Sequence, residues 1–284
     1  NMIKGFSPMI REVIRLKRMP PWDADPEIGN WSNDFSLTSD EKRILVNWIE
    51  MGSPRGGGID PLENMSPPEN TWKKGVPDLI LNVPKFDIPA NGNLPYRYVQ
   101  IDNPLDHDVW VTAADVKIGD PKAIHHLYAG FSNPDSIRSN DQRTRDNFLV
   151  AWSPGSDLGE MPDGVGVLLG KDDKIFLEMH YVTYGKKSSD ITKIGLYFSD
   201  SPPEKIMRYT DIRDEYMEIP ANVTNFPISS YHVFDYDAHL LMLTPHSHYR
   251  GKSSKFTLLY PDGNKEVILS VPDYDYNWQL TYHF

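Results

Sequence analysis

The chain of 284 residues contains no cysteine. Without thiols there is no disulfide bond, no thiolate metal site, no iron–sulfur cluster and no c-type haem attachment motif within these residues. The absence does not define a compartment, because an exported protein need not contain disulfides.

Positive charge and long apolar runs are also scarce. Lysine and arginine number 29 against 40 acidic residues, which gives a formal net charge of −11. Such a chain has no basic field to attract phosphate, so nucleic acid is excluded as a partner.

The sequence also lacks the run of roughly 18 apolar residues that a transmembrane helix needs. The length fits two or three folded domains.

The first fifty or so residues have a helical pattern. Apolar residues recur at helical spacing from Pro8 to Lys17, and the run Met19-Pro-Pro-Trp22 ends this helix. A second helix is predicted to begin at Thr38, with Glu41 completing a capping box. Gly52 is a natural residue to follow its end.

The rest of the chain has the pattern of an all-β protein. We predict a mainly β fold of two tandem jelly-roll-like antiparallel β-sandwich domains, preceded by a small α-helical segment. The predicted parts are residues 1–58 (helical), 59–76 (linker), 77–203 (first sandwich) and 204–284 (second sandwich). The predicted strands are Leu79–Val83, Tyr96–Ile101, Val109–Ile118, His125–Phe131, Ile175–Thr183, Ile194–Phe198, His239–Thr244, Lys255–Tyr260, Glu266–Val271 and Trp278–Phe284.

Five histidines form two groups, one in each predicted sandwich. His246 and His248 are two residues apart, so on a strand both imidazoles would project from the same face towards one metal ion. His125 and His126 are adjacent, and their joint use as ligands requires a bulge or a strong local twist. His180 lies in an apolar strand, where a histidine is either a hydrogen-bonded core residue or a ligand.

Imidazole donors suit copper or zinc, and the sequence does not choose between them. The alternative to metal binding is that each group consists of ordinary surface or core histidines. The remaining histidines show no pairing, and we assign them structural roles: His107, His232, His239 and His283.

The order of the motifs resembles a known family. His-His, Leu-Glu-Met-His-Tyr, Pro-His-Ser-His-Tyr-Arg-Gly-Lys and Tyr-Asp-Tyr-Asn-Trp-Gln follow one another as in the type II copper, ascorbate-dependent monooxygenases. Peptidylglycine α-hydroxylating monooxygenase and dopamine β-monooxygenase belong to that family. The resemblance runs from about residue 77 to 284. It implies two copper ions, one in each of two β-sandwich domains, facing each other across a cleft.

The resemblance also implies roles for individual residues. His125, His126 and His180 correspond to the three ligands of the first copper, and His246 and His248 to two ligands of the second, catalytic copper. The third ligand of the second site would be a methionine beyond Phe284, and Met242 is not at that position. Glu178 replaces the glutamine that is usual in the family. It is interpreted either as a hydrogen-bonding partner of a ligand or as an exposed acid at a sandwich edge.

The N-terminal helices resemble the second half of a small cytochrome c domain, which bacterial members of this copper family often carry. Met19 corresponds to the axial haem ligand. The Cys-x-x-Cys-His motif that attaches haem c would lie upstream of Asn1. We expect both termini to be truncated, because the start lacks signal-peptide character and the last residues resemble an interrupted strand.

Together these resemblances imply a copper-dependent monooxygenase that hydroxylates a C–H bond of a small molecule with O₂. Electrons would come from an ascorbate-like reductant, from a fused cytochrome c or from an electron-donor protein, and a bacterial periplasmic or secreted location is expected. Two alternatives remain open. One is a non-catalytic copper or electron-transfer protein on the same fold, and the other is a zinc hydrolase with Glu178 as its base.

Overall fold

A computed structural model describes residues 2–59, 72–132, 144–145, 148–154, 156–157, 159–214 and 216–284. The protein is mainly β. It has two helices, α1 (Met2–Arg15) and α2 (Ser39–Glu50). In this described part of the chain, neither helix is long and apolar enough to cross a membrane.

Eighteen strands are present in the described residues. They are β1 (Leu79–Asn82), β2 (Phe86–Ile88), β3 (Arg97–Ile101), β4 (Val109–Lys117), β5 (Ile124–Ser132), β6 (Thr144–Arg145), β7 (Phe148–Ser153), β8 (Ser156–Asp157), β9 (Val165–Leu169), β10 (Lys174–Tyr181), β11 (Ser188–Asp190), β12 (Lys193–Ser199), β13 (Lys205–Ile206), β14 (Tyr209–Thr210), β15 (Met242–Leu243), β16 (Ser254–Leu259), β17 (Lys265–Val271) and β18 (Tyr282–His283).

The chain divides into two compact units, here named the central unit (residues 70–239) and the terminal unit (residues 1–69 and 240–284). This grouping differs from the predicted segments. Residues 204–239 belong with the central unit, and the N-terminal helices belong with residues 240–284. Most of the predicted linker at 59–76 lies outside the described residues, which omit 60–71.

Two five-stranded sheets make up most of the central unit. One has the order β1-β12-β4-β9-β13, and the other has the order β3-β10-β5-β7-β8. Their pairs are antiparallel except for β9 with β13. The predicted β-sandwich-like architecture is therefore present here, whereas the jelly-roll topology stays a prediction.

Strand β10 shows how the sequence determines which face is buried. Ile175, Leu177, Met179 and Tyr181 are each at most 1% exposed, while the alternate residues face the other side of the sheet. Successive side chains of a strand point to opposite faces, so the apolar set is buried as a group. Each such side chain stabilises the fold by about 1.5–3 kcal/mol through burial.

The second predicted helix is confirmed in detail. The Thr38 side chain accepts a hydrogen bond from the Glu41 amide, and the Glu41 carboxylate accepts one from the Thr38 amide. At the other end Gly52 has φ +86°, and the Ser53 amide donates to the Trp48 carbonyl. This is a Schellman motif, in which glycine adopts the left-handed conformation without steric cost.

Helix α1 differs from its prediction. It begins at Met2 instead of Pro8, so that Pro8 lies inside the helix. Proline has no N–H to donate to the preceding turn, but a proline in the first turns of a helix removes few hydrogen bonds and is tolerated. The two helices bury Ile14 and Ile49, and a 2.8 Å hydrogen bond joins the hydroxyl of Ser7, in the middle of α1, to that of Ser53, just after α2.

The terminal unit contains two two-stranded ribbons, β15–β18 and β16–β17. Of the predicted strands His239–Thr244 and Trp278–Phe284, only β15 and β18 form as regular strands. The ribbons share a core with the segment between the two helices, which supplies Ala24, Trp22 and Trp31. Trp22 and Trp31 contact the ring of Tyr282 edge-on, at 4.8 and 5.3 Å between centroids.

Candidate functional site

A β-bulge in the central unit brings three histidines together. In the antiparallel pair of β5 and β10, His126 lies opposite His180, but the next pair joins Tyr181 to Ile124. His125 is the extra residue that the register skips. Such a bulge lets consecutive side chains turn towards one side of the strand. Joint use of His125 and His126 as ligands requires a bulge or a strong local twist, and the structure contains a bulge.

The imidazoles of the three residues converge. The Nδ1 atoms of His125 and His126 lie 3.3 Å apart, and the His180 ring lies 5.3 and 5.0 Å from the other two rings between centroids. One ring nitrogen from each residue can be chosen so that all three atoms lie within 4.8 Å of one another. All three side chains are half-buried.

This arrangement fits a metal ion. A tetrahedral ion with metal–nitrogen bonds of about 2.0 Å separates neighbouring ligand nitrogens by about 3.3 Å. The distance between the Nδ1 atoms of His125 and His126 has this value. Three imidazoles without a thiolate suit copper or zinc. Within the residues described, no other group of three histidine or acidic side chains comes this close together.

Tyr96 covers the site, and the sequence analysis did not single it out. Its ring stacks on His180 at 4.5 Å with an interplanar angle of 18°, and it lies 5.6 Å from the His126 ring. Tyr96 precedes β3, the strand beside β10, so only the sheet order could reveal the contact. The stacked ring restricts the orientation of the His180 imidazole.

Glu178 shares the outer face of β10 with His180. It lies directly opposite Tyr98 of β3 and Tyr128 of β5, and its side chain is half-buried. Strand β10 is paired on both sides, so the interpretation of Glu178 as an exposed acid at a sheet edge is wrong. The carboxylate is two residues from a candidate ligand on the same face, about 7 Å along the strand.

His246 and His248 lie in the terminal unit, in the loop that follows β15, just after the predicted strand His239–Thr244. Their rings are nevertheless close, with centroids 5.2 Å apart and planes nearly perpendicular. Both side chains are exposed. Met242 lies on β15, where it pairs with His283.

The loop that carries these two histidines is held by Tyr274. The Ser247 amide donates to the Tyr274 hydroxyl at 3.1 Å, and the hydroxyl donates to the Ser247 carbonyl at 2.8 Å. A Cβ on Gly251 would lie 2.4 Å from the Ser247 Cβ, so the tight turn requires glycine there. The Gly251 amide also donates to the His248 carbonyl. Ser247, Gly251 and Tyr274 all lie in the motifs of the family resemblance, but the sequence alone does not indicate what they do.

The predicted haem ligand does not form a site. Met19 lies in the turn region after α1, with its side chain 40% exposed, and the chain has no cysteine to attach a haem. A c-type haem needs a proximal histidine as well as thioether links. The residues of this chain therefore do not by themselves fit a c-type haem.

The four histidines assigned structural roles lie outside the three-histidine group. His107 forms a contact of 2.6 Å with the Asp106 carboxylate at the surface, and His232 packs against Phe234. Burial lowers the pKa of His283 on β18. His239 is exposed.

The resemblance to the type II copper monooxygenases rests on the sequence motifs alone. No protein-family model matches the chain, and a search of curated proteins gives no significant match. The order of the histidine motifs and the geometry of their side chains are therefore the basis for a functional assignment.

Proposed function

We propose that the protein is a copper-dependent monooxygenase that hydroxylates a C–H bond of a small molecule with O₂. The observation that carries the proposal is the convergence of His125, His126 and His180 at a bulge. Three neutral imidazoles hold both Cu(II) and Cu(I), which a one-electron redox centre requires. The first copper would bind there, and the second would bind at His246 and His248 with a further ligand.

The overall reaction converts R–H, O₂, two electrons and two protons into R–OH and water. It therefore needs two external electrons, and because copper cycles by one, two copper centres would each supply one of them. Bound copper would supply one electron at each centre. At the His246–His248 centre it would also activate O₂. An ascorbate-like reductant or an electron-donor protein would restore the electrons, in a periplasmic or secreted setting.

The protein's own residues would position the ions. The bulge at His125 directs two imidazoles to one point, and the Tyr96 ring holds His180 in place. In the other unit, the Tyr274 hydroxyl and Gly251 fix the backbone between His246 and His248. Ligands held before the metal arrives lose less conformational freedom when it binds.

A second candidate function is an electron-transfer protein with one copper. The three-histidine group has enough ligands to hold an ion by itself, whereas His246 and His248 supply two imidazoles. This candidate predicts one copper per chain and no consumption of O₂ beyond that of the reductant alone.

Metal analysis of the purified protein tests these candidates. The protein is loaded with copper, dialysed and analysed for copper and zinc, together with the variants His180→Ala and His107→Ala. The proposal predicts two coppers in the parent protein, one in His180→Ala and two in His107→Ala, because His107 lies at the surface beside Asp106. Oxygen uptake with ascorbate and a panel of C–H substrates then measures turnover.

The outcomes separate the candidates. Two coppers with substrate-dependent oxygen uptake support the monooxygenase. One copper, lost in His180→Ala, and no oxygen uptake would replace it with the electron-transfer protein. Zinc in preference to copper at the three-histidine site would indicate a hydrolase.

A further inference from the structure

His246 contacts Gln279 just beyond the end of the β15–β18 ribbon. The His246 Nδ1 atom and the Gln279 Oε1 atom are 2.8 Å apart. The ribbon pairs Met242 with His283 and Leu243 with Tyr282. Continued by three residues beyond the paired strands, the same register brings His246 opposite Gln279, which agrees with the observed contact.

The neighbouring pair in the ribbon supports the same register. The hydroxyls of Thr244 and Thr281 form a 2.8 Å hydrogen bond one step from the His246–Gln279 contact. Gln279 is 6% exposed and Thr281 is 2% exposed, so both are held within the unit. Leu280, between them, is 3% exposed and belongs to the core. The Gln279 side chain thus reaches His246 from a fixed backbone.

We propose that Gln279 is a positioning residue, which keeps His246 protonated on Nδ1 and presents the Nε2 atom to a metal. An amide oxygen only accepts hydrogen bonds, so a neutral imidazole in contact with it must carry its proton on Nδ1. Its lone pair is then on Nε2. This inference rests on the proposed function, because the metal that His246 would bind is the second copper.

The contact also raises the basicity of the ligand and limits ring rotation. Partners that accept a hydrogen bond from the non-ligating nitrogen of a metal-bound histidine typically change metal affinity by about 10–100-fold. His246 is exposed, and the contact with Gln279 limits the rotation of its ring and the exchange of its tautomers. The loss of Gln279 would therefore weaken binding at this site without removing a ligand.

Three variants test the inference. Gln279→Leu removes the acceptor and keeps an apolar volume, whereas Gln279→Glu keeps an oxygen acceptor and should retain the parent behaviour. Thr281→Val is the matched control, because it removes the adjacent hydrogen bond of the same ribbon and leaves the His246 contact intact.

Two measurements are made on each variant. Long-range ¹H–¹⁵N NMR of the copper-free protein reports the tautomer of His246. Copper affinity is measured by competition with a chelator in a His180→Ala background, so that the second site is observed without the first. We expect Gln279→Leu to lose the Nδ1–H tautomer and to bind copper about 10–100-fold more weakly. Thr281→Val should change neither quantity.

A Gln279→Leu variant with the parent tautomer, or with the copper affinity of Thr281→Val, would overturn the inference. So would a Gln279→Glu variant that behaves like Gln279→Leu although it folds. The proposed function fails separately, if the His180→Ala protein with Gln279 intact binds no copper. The NMR result in the copper-free protein still decides whether Gln279 fixes the tautomer.

Discussion

The Nδ1 atoms of His125 and His126 lie 3.3 Å apart, although the two residues are consecutive in β5. In a regular strand their side chains would point to opposite faces of the sheet. The register shift opposite His180 and Tyr181 turns them to one side. Bulges of this kind are frequent beside functional sites, where they redirect a side chain. The strand irregularity is thus what makes a three-histidine site possible.

The first prediction concerns His125 itself. His125→Ala should lower the copper bound per chain by one, because the remaining two imidazoles at this site bind an ion weakly. Elemental analysis after dialysis measures the loss. His107→Ala is the matched control, since His107 is exposed and contacts Asp106 alone among the contacts described for it. Full copper content in His125→Ala would show that His125 is not a ligand.

The sequence could predict this site only in part. The alternation of β10 assigns His180 and Glu178 to one face, and the structure confirms it. The need for a bulge at His125 and His126 follows from strand geometry, but its presence does not, because no glycine or proline marks the position. Tyr96 could not be found, since its contact with His180 depends on the pairing of β3 with β10.

The N-terminal segment shows a different limit of sequence patterns. The sequence pattern indicates that Trp22 belongs to the segment that ends the first helix, and it indicates no role for Trp31. The structure packs both against Tyr282, about 250 residues later in the chain. The Ser32 amide donates to the His283 carbonyl, and the Asn33 side chain bonds to Thr281. Contacts between residues so far apart in the sequence leave no local periodicity, so sequence patterns could not reveal them.

The second prediction concerns Tyr274. Tyr274→Phe removes the hydroxyl that both accepts from the Ser247 amide and donates to the Ser247 carbonyl. The loop between His246 and His248 should become less ordered, so copper binding at the second site should weaken several-fold while the three-histidine site is unaffected. The free energy of unfolding should fall by about 1–2 kcal/mol.

Copper titration and urea unfolding measure the two effects of Tyr274→Phe. Tyr260→Phe is the comparison variant, because the Tyr260 hydroxyl contacts Glu266 at the surface of another ribbon. A Tyr274→Phe protein with the second-site affinity of Tyr260→Phe would contradict the role assigned to the hydroxyl.

The third prediction concerns a buried carboxylate in the central unit. Asp190 is 1% exposed and accepts hydrogen bonds from the amides of Gly119 and Asp120 and from the hydroxyls of Thr192 and Tyr181. Asp190→Ala would leave these donors without their acceptor. Since buried donors without a partner are costly, the free energy of unfolding should fall by about 3 kcal/mol or more.

Urea denaturation checks the Asp190→Ala prediction. The control is Asp87→Ala, because the Asp87 side chain is 77% exposed and forms a surface ion pair with Lys85. Such pairs contribute about 0–1 kcal/mol. Equal unfolding midpoints for the two variants would mean that Asp190 does not hold the loop at Gly119 to β11.

The fourth prediction concerns three acidic residues in the terminal unit. Burial, together with the charges of Asp275 and Asp273, raises the pKa of Asp23 to about 6 from an ordinary value of 3.8. Between about pH 4 and pH 6, the folded state therefore holds a proton that the unfolded state has released. The contribution of Asp23 to the free energy of unfolding therefore falls as the pH rises through that range. Above pH 6 the ionised Asp23 destabilises the fold.

Asp23→Asn should therefore be more stable than the parent protein at pH 7, and the difference should vanish below about pH 4. The pKa change corresponds to about 3 kcal/mol, but Asp23 is half-buried, so solvent screening reduces the expected gain to about 1 kcal/mol. Thermal or urea unfolding at a series of pH values measures it. Glu27→Gln removes one exposed negative charge from the same segment and should show no such pH dependence. A stability difference for Asp23→Asn that stays constant from pH 4 to pH 7 would show that Asp23 does not titrate in this range.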